Sequence, residues 1–139
     1  MTFFFDRCVA ITVVKIVRAL EEGKHDVIFH DDIFEVTTSD VFWIGAVAQW
    51  DPKPIVISGD CRILAKRDEA AALAQSNLMF FCLAPGWTNL PFREYPWKFL
   101  KAWNNVQDEI ATCREPSIFK VSLGASLKVE KLSLTRKHR

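Results

Sequence analysis

"FFFDRC", residues 3–8, runs three phenylalanines into an aspartate, an arginine and a cysteine. A short apolar run with no polar alternation suits a strand covered on both faces, as in a parallel sheet lined by helices. Asp6 then marks the point where the strand leaves the core. In open α/β sheets, ligands gather at the carboxyl ends of the strands, so Asp6 is the first candidate site residue.

The chain beyond it supports that sheet. Over residues 9–20 the polar residues Thr12, Lys15 and Arg18 recur every third position, which gives a thin polar stripe on a mostly buried helix. The β-branched "ITVVKIV" (11–17) favours a strand, but a strand would bury Lys15 among apolar neighbours and would be long. Gly23 ends the helix. "DVIFH" (26–30) is a second strand with Asp31 and Asp32 at its end, and "TTSDVFWIGAVAQW" (37–50) opens on helix-capping residues and runs apolar to the Asp-Pro and Lys-Pro turn. "IVIS" (55–58) is a third strand closed by Gly59 and Asp60. "DEAAALAQSN" (68–77) is a helix capped by Asp68 and broken at Asn77, and "LMFFCLA" (78–84) is a fourth strand. Strand and helix alternate throughout, which calls for right-handed crossovers and a parallel sheet covered on both faces.

After Pro85 and Gly86 the character changes. A longer amphipathic helix carries Trp97, Leu100, Trp103, Val106 and Ile110, its aromatics reading as core or docking residues, with nucleic-acid stacking as the alternative. "IFKVSLGASLKVEKL" (118–132) alternates around Gly124 and reads as a hairpin appended to the α/β core. The expected organisation is one domain over residues 1–139, with a core at about 2–84 and an extension at about 91–134.

Composition sets the bounds. The 139 residues are 50% hydrophobic and 25% charged, which excludes a disordered or low-complexity chain. The net charge of +1 says little about partners. Arg136, Lys137 and Arg139 form a basic tail that reads as solvated, with contact to RNA or a partner as the alternative. Cys8, Cys61, Cys82 and Cys113 form no C-x-x-C pair and are expected to be reduced, mostly buried thiols. Asp6 and Arg7 interrupt the N-terminal apolar run too early for a signal peptide, and no apolar stretch approaches the ~20 residues of a membrane span. A cytoplasmic protein with no membrane contact is expected.

Asp6 follows the first strand, Asp60 follows the third, and Asp40 opens the helix leading into the third; all three belong to one sheet edge, and Asp32 could join them. Each also has a structural role open to it. Asp6 could cap the first helix, Asp60 could close an Asx turn, and Asp40, three residues after Thr37, could be the acid of a variant capping box. Carboxylates brought together repel unless a cation neutralises them. Mg²⁺, held by one or two carboxylates, waters and phosphate oxygens, suits that task and the hydrolysis of a phosphodiester. Zinc fits poorly, since His25, His30 and His138 have no zinc-site spacing and read as surface or packing residues. No G-x-S-x-G, G-x-x-x-x-G-K-[ST] or G-x-G-x-x-G motif is present.

Together, "FFFDRC", "GKHDVIFHDDIF" (23–34), "TTSDVFWI" (37–44), Trp50, "IVISGDCRI" (55–63) and "DEAAAL" (68–73) resemble the PIN-like domain in its VapC-type toxin ribonuclease branch. The resemblance implies a three-layer α/β/α fold with a mostly parallel sheet. It implies a Mg²⁺- or Mn²⁺-dependent endoribonuclease of single-stranded RNA, a homodimer, and neutralisation by a small antitoxin in a type II toxin-antitoxin pair. Asp6, Asp40 and Asp60 match the family's metal-binding, catalytic acids, and Ser58 matches the supporting hydroxyl residue. Glu69 stands where this branch often has glutamate. Many relatives carry a further aspartate two residues after the one matching Asp60, and this chain has Arg62 there. Arg7 and Arg62 could contact substrate phosphate or offset the acidic charge.

Arg62 supports an alternative, a PIN-like module that has lost hydrolysis and acts through RNA or a protein partner. A phosphorylated receiver domain is disfavoured. It would need an acid pair after the first strand and a lysine ending the last parallel strand, whereas the pair here is Asp31 and Asp32 and "FFCLAPG" (80–86) offers no lysine.

Overall fold

The computed structural model describes residues 1–133. In chain order the elements are β1 (Thr2–Phe5), α1 (Ile11–Glu21), β2 (Asp26–Phe29), α2 (His30–Ile33), α3 (Asp40–Val47), β3 (Ile55–Ser58), α4 (Arg67–Ser76), β4 (Met79–Leu83), α5 (Glu94–Thr112), β5 (Ile118–Val121) and β6 (Val129–Leu132). Short 3₁₀ turns occupy Cys61–Ala65 and Trp87–Asn89. The strands form one sheet in the order β2-β1-β3-β4-β5-β6, parallel at every pairing except β5 with β6.

Phe3, Phe4 and Phe5 are all fully buried, because successive side chains on a strand point to opposite faces and both faces of β1 are covered. Phe3 and Phe5 join Val13, Val14 and Val17 of α1 and Phe99 and Trp103 of α5. Phe4 points the other way, onto Trp43, Ile44 and Val47 of α3, in the cluster that also takes Leu73 of α4. The result is three layers, α1 and α5, the sheet, then α3 and α4. Aromatic pairs tie the layers together, with ring centroids 5.0 Å apart for Phe3 and Trp103 and 5.2 Å for Phe4 and Trp43. Each fully buried phenylalanine contributes roughly 1.5–3 kcal/mol of transfer free energy.

α1 is a helix despite its valines, since its buried face carries Val13, Val14 and Val17 while Lys15 is exposed. Arg18, on the polar stripe, donates to the Val27 carbonyl at 3.1 and 3.0 Å and so ties α1 to β2. Gly23 takes φ +82°, a conformation that frees the chain to turn into β2. Asn77 likewise ends α4 at φ 58°.

Several expectations are corrected. The expected hairpin of β5 and β6 is present, and β5 also pairs parallel with β4, so the hairpin joins the main sheet; alternation within it could not reveal the strand on its other side. Asp31 and Asp32 lie in α2, because the chain coils immediately after Phe29. Ser39, not Thr37, caps α3 by accepting from the Phe42 amide at 3.2 Å, which leaves Asp40 as the first helical residue and no acid of a capping box. Asp68 lies inside α4 and makes no cap; Lys66 precedes the helix. On α5 the core face is Tyr95, Phe99, Ala102, Trp103 and Val106, and Trp97 is about half exposed (48%). Cys61 and Cys82 form a disulfide, Cα atoms 5.0 Å apart, while Cys8 is exposed and Cys113 half-buried, so the expectation of reduced and mostly buried thiols fails. The basic tail, Arg136, Lys137 and Arg139 with His138, lies outside the described residues. Among the described residues, no helix is long and apolar enough to cross a membrane.

Phe4→Ala should lower stability by roughly 3–5 kcal/mol, because it empties the seam between β1 and α3. Phe42→Ala, at an exposed position on α3, should stay within about 0.5 kcal/mol of the parent. Urea unfolding of the two variants checks the contrast.

Candidate functional site

The sheet delivers its acids to one place. The amide of Asp6 donates to the Ile57 carbonyl at 3.0 Å, extending the β1–β3 pairing by one residue beyond the core. Ser58 ends β3, Asp60 lies two residues on, and Asp40 begins α3. Asp6, Asp40, Ser58 and Asp60 line one cleft of about 300 Å³, together with Cys8, Arg62 and Lys66.

Asp6 is 4% exposed. Its Oδ1 accepts from the Cys8 amide at 2.9 Å and from the Gly59 amide at 3.4 Å, so the loops after β1 and β3 are both anchored on this carboxyl. Gly59 makes the approach feasible: a methyl group there would overlap the backbone of Cys8 and Val9. Asp6 therefore does not cap α1, whose first turn has no side-chain cap. Burial pushes the Asp6 carboxyl above the ordinary carboxylate range, and the charge of Asp40 adds to that; the Ser58 hydroxyl and the two amides oppose it.

Asp40 is held by the indole N–H of Trp43, which donates to its Oδ1 at 2.9 Å. The same indole ring packs on Phe4, so the position of Asp40 is set by the core. Asp60 caps the following 3₁₀ turn by accepting from the Arg62 amide at 2.8 Å, and its Oδ2 takes the Arg62 guanidinium at 2.7 Å from Nε and 2.6 Å from Nη2. The Arg62 hydrogen bond is the main reason Asp60 is held below the ordinary carboxylate range. Among the described residues neither Asp6 nor Asp40 has an ion-pair partner. Although Cys8 as a residue is exposed, partial desolvation of its thiol in the cleft and the charges of Asp6, Asp40 and Asp60 push that thiol up to about 11, so it stays protonated and is a poor nucleophile at neutral pH.

The remaining candidates lie elsewhere. Asp32 faces α1, its Oδ2 accepting from the Phe29 amide at 3.0 Å and from Arg18 at 2.8 Å. Arg7 pairs with Asp31 at 3.1 Å, and neither it, Asp32 nor Glu69 lines the cleft. Glu69 is in the first turn of α4. Nothing in the sequence marks Lys66 as a cleft residue, and the tight "SGD" (58–60) is the one sign that Gly59 does more than close β3.

The donor set is hard, all carboxylate and hydroxyl oxygen at its acidic end, which suits Mg²⁺ or Mn²⁺. Among the described residues no group of three or more His, Cys, Asp or Glu is close enough to enclose a metal by itself. A cation with several bound waters needs only one or two carboxylates, and Asp6 and Asp40 are the two without a protein cation.

Gly59→Ala should cost about 1–3 kcal/mol by overpacking, whereas Gly124→Ala, which meets nothing within 4 Å, should be close to neutral; urea unfolding distinguishes them. For Asp6, the folded chain keeps a proton that the unfolded chain releases, so stability falls as pH rises through the raised carboxyl value. Asp6→Asn should remove this loss and raise Tm near neutral pH. A Tm equal to or below that of the parent at every pH between about 5 and 8 would overturn the buried-charge argument.

A family model described as PIN-like domain matches residues 1–85, the span from β1 to the end of β4 that carries every acid of the cleft. No curated protein and no solved structure matches the chain. With the parallel sheet and the acids at its carboxyl edge, this match over more than half of the 139 residues shows that the chain belongs to the PIN-like domain family.

Proposed function

We propose that the chain is a metal-dependent endoribonuclease that hydrolyses RNA phosphodiester bonds. PIN-like domains are commonly nucleases. The observation that carries the reading is the Asp6 carboxyl, buried and without a cationic partner in a cleft it shares with Asp40. Burying such a charge is costly unless something positive completes it. Asp6 and Asp40 would hold Mg²⁺ or Mn²⁺, with Asp60 beside them. The ion, when bound, supplies water activation, polarisation of the phosphoryl group and stabilisation of the leaving oxygen.

The chain's own groups divide the other work. Trp43 fixes the orientation of Asp40 through its indole N–H. Ser58 stands by Asp6, and its hydroxyl works against the rise in the Asp6 carboxyl that burial causes. Lys66, on the wall of the cleft, draws a phosphate towards the acids. Arg62 holds Asp60 ionised and so adjusts the charge that the cleft presents to a polyanion. The finer reading is that of a toxin of a type II toxin-antitoxin pair, homodimeric and neutralised by a small antitoxin; it is supported by the VapC-like residue pattern from "FFFDRC" to "DEAAAL".

One observation favours a second reading, a binding module without hydrolysis. Arg62 occupies the Asp60 carboxylate from the position where relatives carry a further acid. The two readings part in a cleavage assay on single-stranded RNA. The nuclease should be active with Mg²⁺ or Mn²⁺ and silent in a chelator. Asp6→Asn and Asp40→Asn should each lose about 100-fold or more, since even groups that only support a metal ligand are worth about 10–100-fold. A parent chain that binds RNA but never cleaves it, with either ion, would establish the module instead.

A further inference from the structure

A second depression, of about 340 Å³, lies between the loop after β1 and the start of α5, lined by Cys8, Ala10, Thr12, Leu90, Phe92 and Pro96. It differs in character from the acidic cleft, having no charged residue in its wall, and it meets that cleft at Cys8, which lines both. Its volume falls at the low end of small-ligand sites, which are mostly apolar with a few polar groups. Those groups are here the hydroxyls of Thr12 and Thr88, neither of which has a hydrogen-bond partner among the described residues, and the buried hydroxyl of Tyr95.

Phe92 is 74% exposed, the most exposed large apolar side chain among the described residues, and its ring has no aromatic neighbour there. The first turns of α5 beside it are rich in cations and carry a second aromatic. Arg93 follows Phe92, Glu94 is paired with Lys98 at 3.6 Å, and the ammonium groups of Lys98 and Lys101 lie 5.8 and 5.1 Å from the ring centre of the half-exposed Trp97. An aromatic platform bordered by cations is the pattern that binds single-stranded nucleic acid, where bases stack and phosphates are neutralised.

Resting on the nuclease reading, we propose that this groove is a base-binding subsite for single-stranded RNA, with Phe92 stacking on the base adjacent to the phosphate that enters the acidic cleft. The division follows from the chemistry of the two walls. The phosphate goes to the oxygen-lined, metal-binding side, and the flat apolar base goes to the uncharged side. A hydroxyl both donates and accepts, so Thr12 and Thr88 meet base edges of either polarity and make the subsite tolerant of sequence. Phe92 and Trp97 touch the base and the strand; they are binding residues and take no part in bond cleavage.

The test measures binding apart from cleavage. A short, fluorescently labelled oligouridylate is titrated with the full chain in chelator, and the parent, Phe92→Ala and Phe92→Trp are compared by anisotropy. Phe92→Ala should weaken binding by roughly 10-fold, within the range for loss of one stacked base, while Phe92→Trp binds much as the parent does. With Mg²⁺ present, Phe92→Ala should raise KM and leave kcat nearly unchanged. Equal affinity of Phe92→Ala and the parent, or no binding by the parent, overturns the subsite. Cleavage that persists in that case leaves the nuclease reading intact, whereas Phe92-dependent binding without any cleavage upholds the subsite and ends that reading. A Phe92→Ala effect confined to self-association, seen by sedimentation, marks the groove as a protein interface and overturns the proposal.

Discussion

A parallel strand with neighbours on both edges and helices on both faces has nowhere to put a charge along its length. β1 meets that constraint with Phe3, Phe4 and Phe5, all fully buried and divided between the two faces of the sheet. The first polar side chain can appear only where pairing is about to end, and that is Asp6, still 4% exposed. β3 obeys the same rule with Ile55, Val56 and Ile57, and Ser58 at its end and Asp60 two residues on fall at the same edge because β1 and β3 run parallel in register. The cleft is thus a consequence of how the core excludes charge.

The cleft is also unevenly compensated. Asp60 takes the whole of the Arg62 guanidinium edge, so that pair is close to neutral by itself. Asp6 and Asp40 keep their mutual repulsion, which adds in the same direction as the burial that raises the Asp6 carboxyl. A fold can carry such a cost only if the surrounding packing holds the groups in place, and here it does: Gly59 presses the β3 loop against Cys8, and Trp43 anchors Asp40 to the layer beneath Phe4.

What the sequence revealed and what it hid divide along a physical line. Apolar runs such as "FFF", "IVIS" and "MFFCL" identify buried parallel strands locally, and the acids at their ends follow from topology, so the sheet, its helices and the convergence of Asp6, Asp40 and Asp60 were legible. Interactions between side chains distant in sequence were not. The parallel pairing of β5 with β4 depends on where α5 lands, and the separation of Asp32 from the cleft depends on Arg18 reaching across from α1. Capping was legible in kind and not in position, since "TTSD" offers three hydroxyl residues and an acid for one cap and the backbone selects Ser39. Trp97 illustrates a further limit. Its spacing fits the apolar stripe of α5, yet the helix rotates so that Tyr95 and Phe99 take the core.

The disulfide between Cys61 and Cys82 alters how the region around Asp60 can move. It spans 21 residues and closes a covalent ring that holds the 3₁₀ turn, all of α4 and most of β4. Within that ring the non-covalent β3–β4 pairing is backed by a bond that no thermal fluctuation opens. The backbone beside Asp60 and Arg62 is therefore tethered to a strand whose Cys82 is fully buried. Such a bond persists in oxidising surroundings and is opened by cellular thiols. The rigidity of one wall of the cleft is in this way tied to the redox state of the compartment that holds the protein.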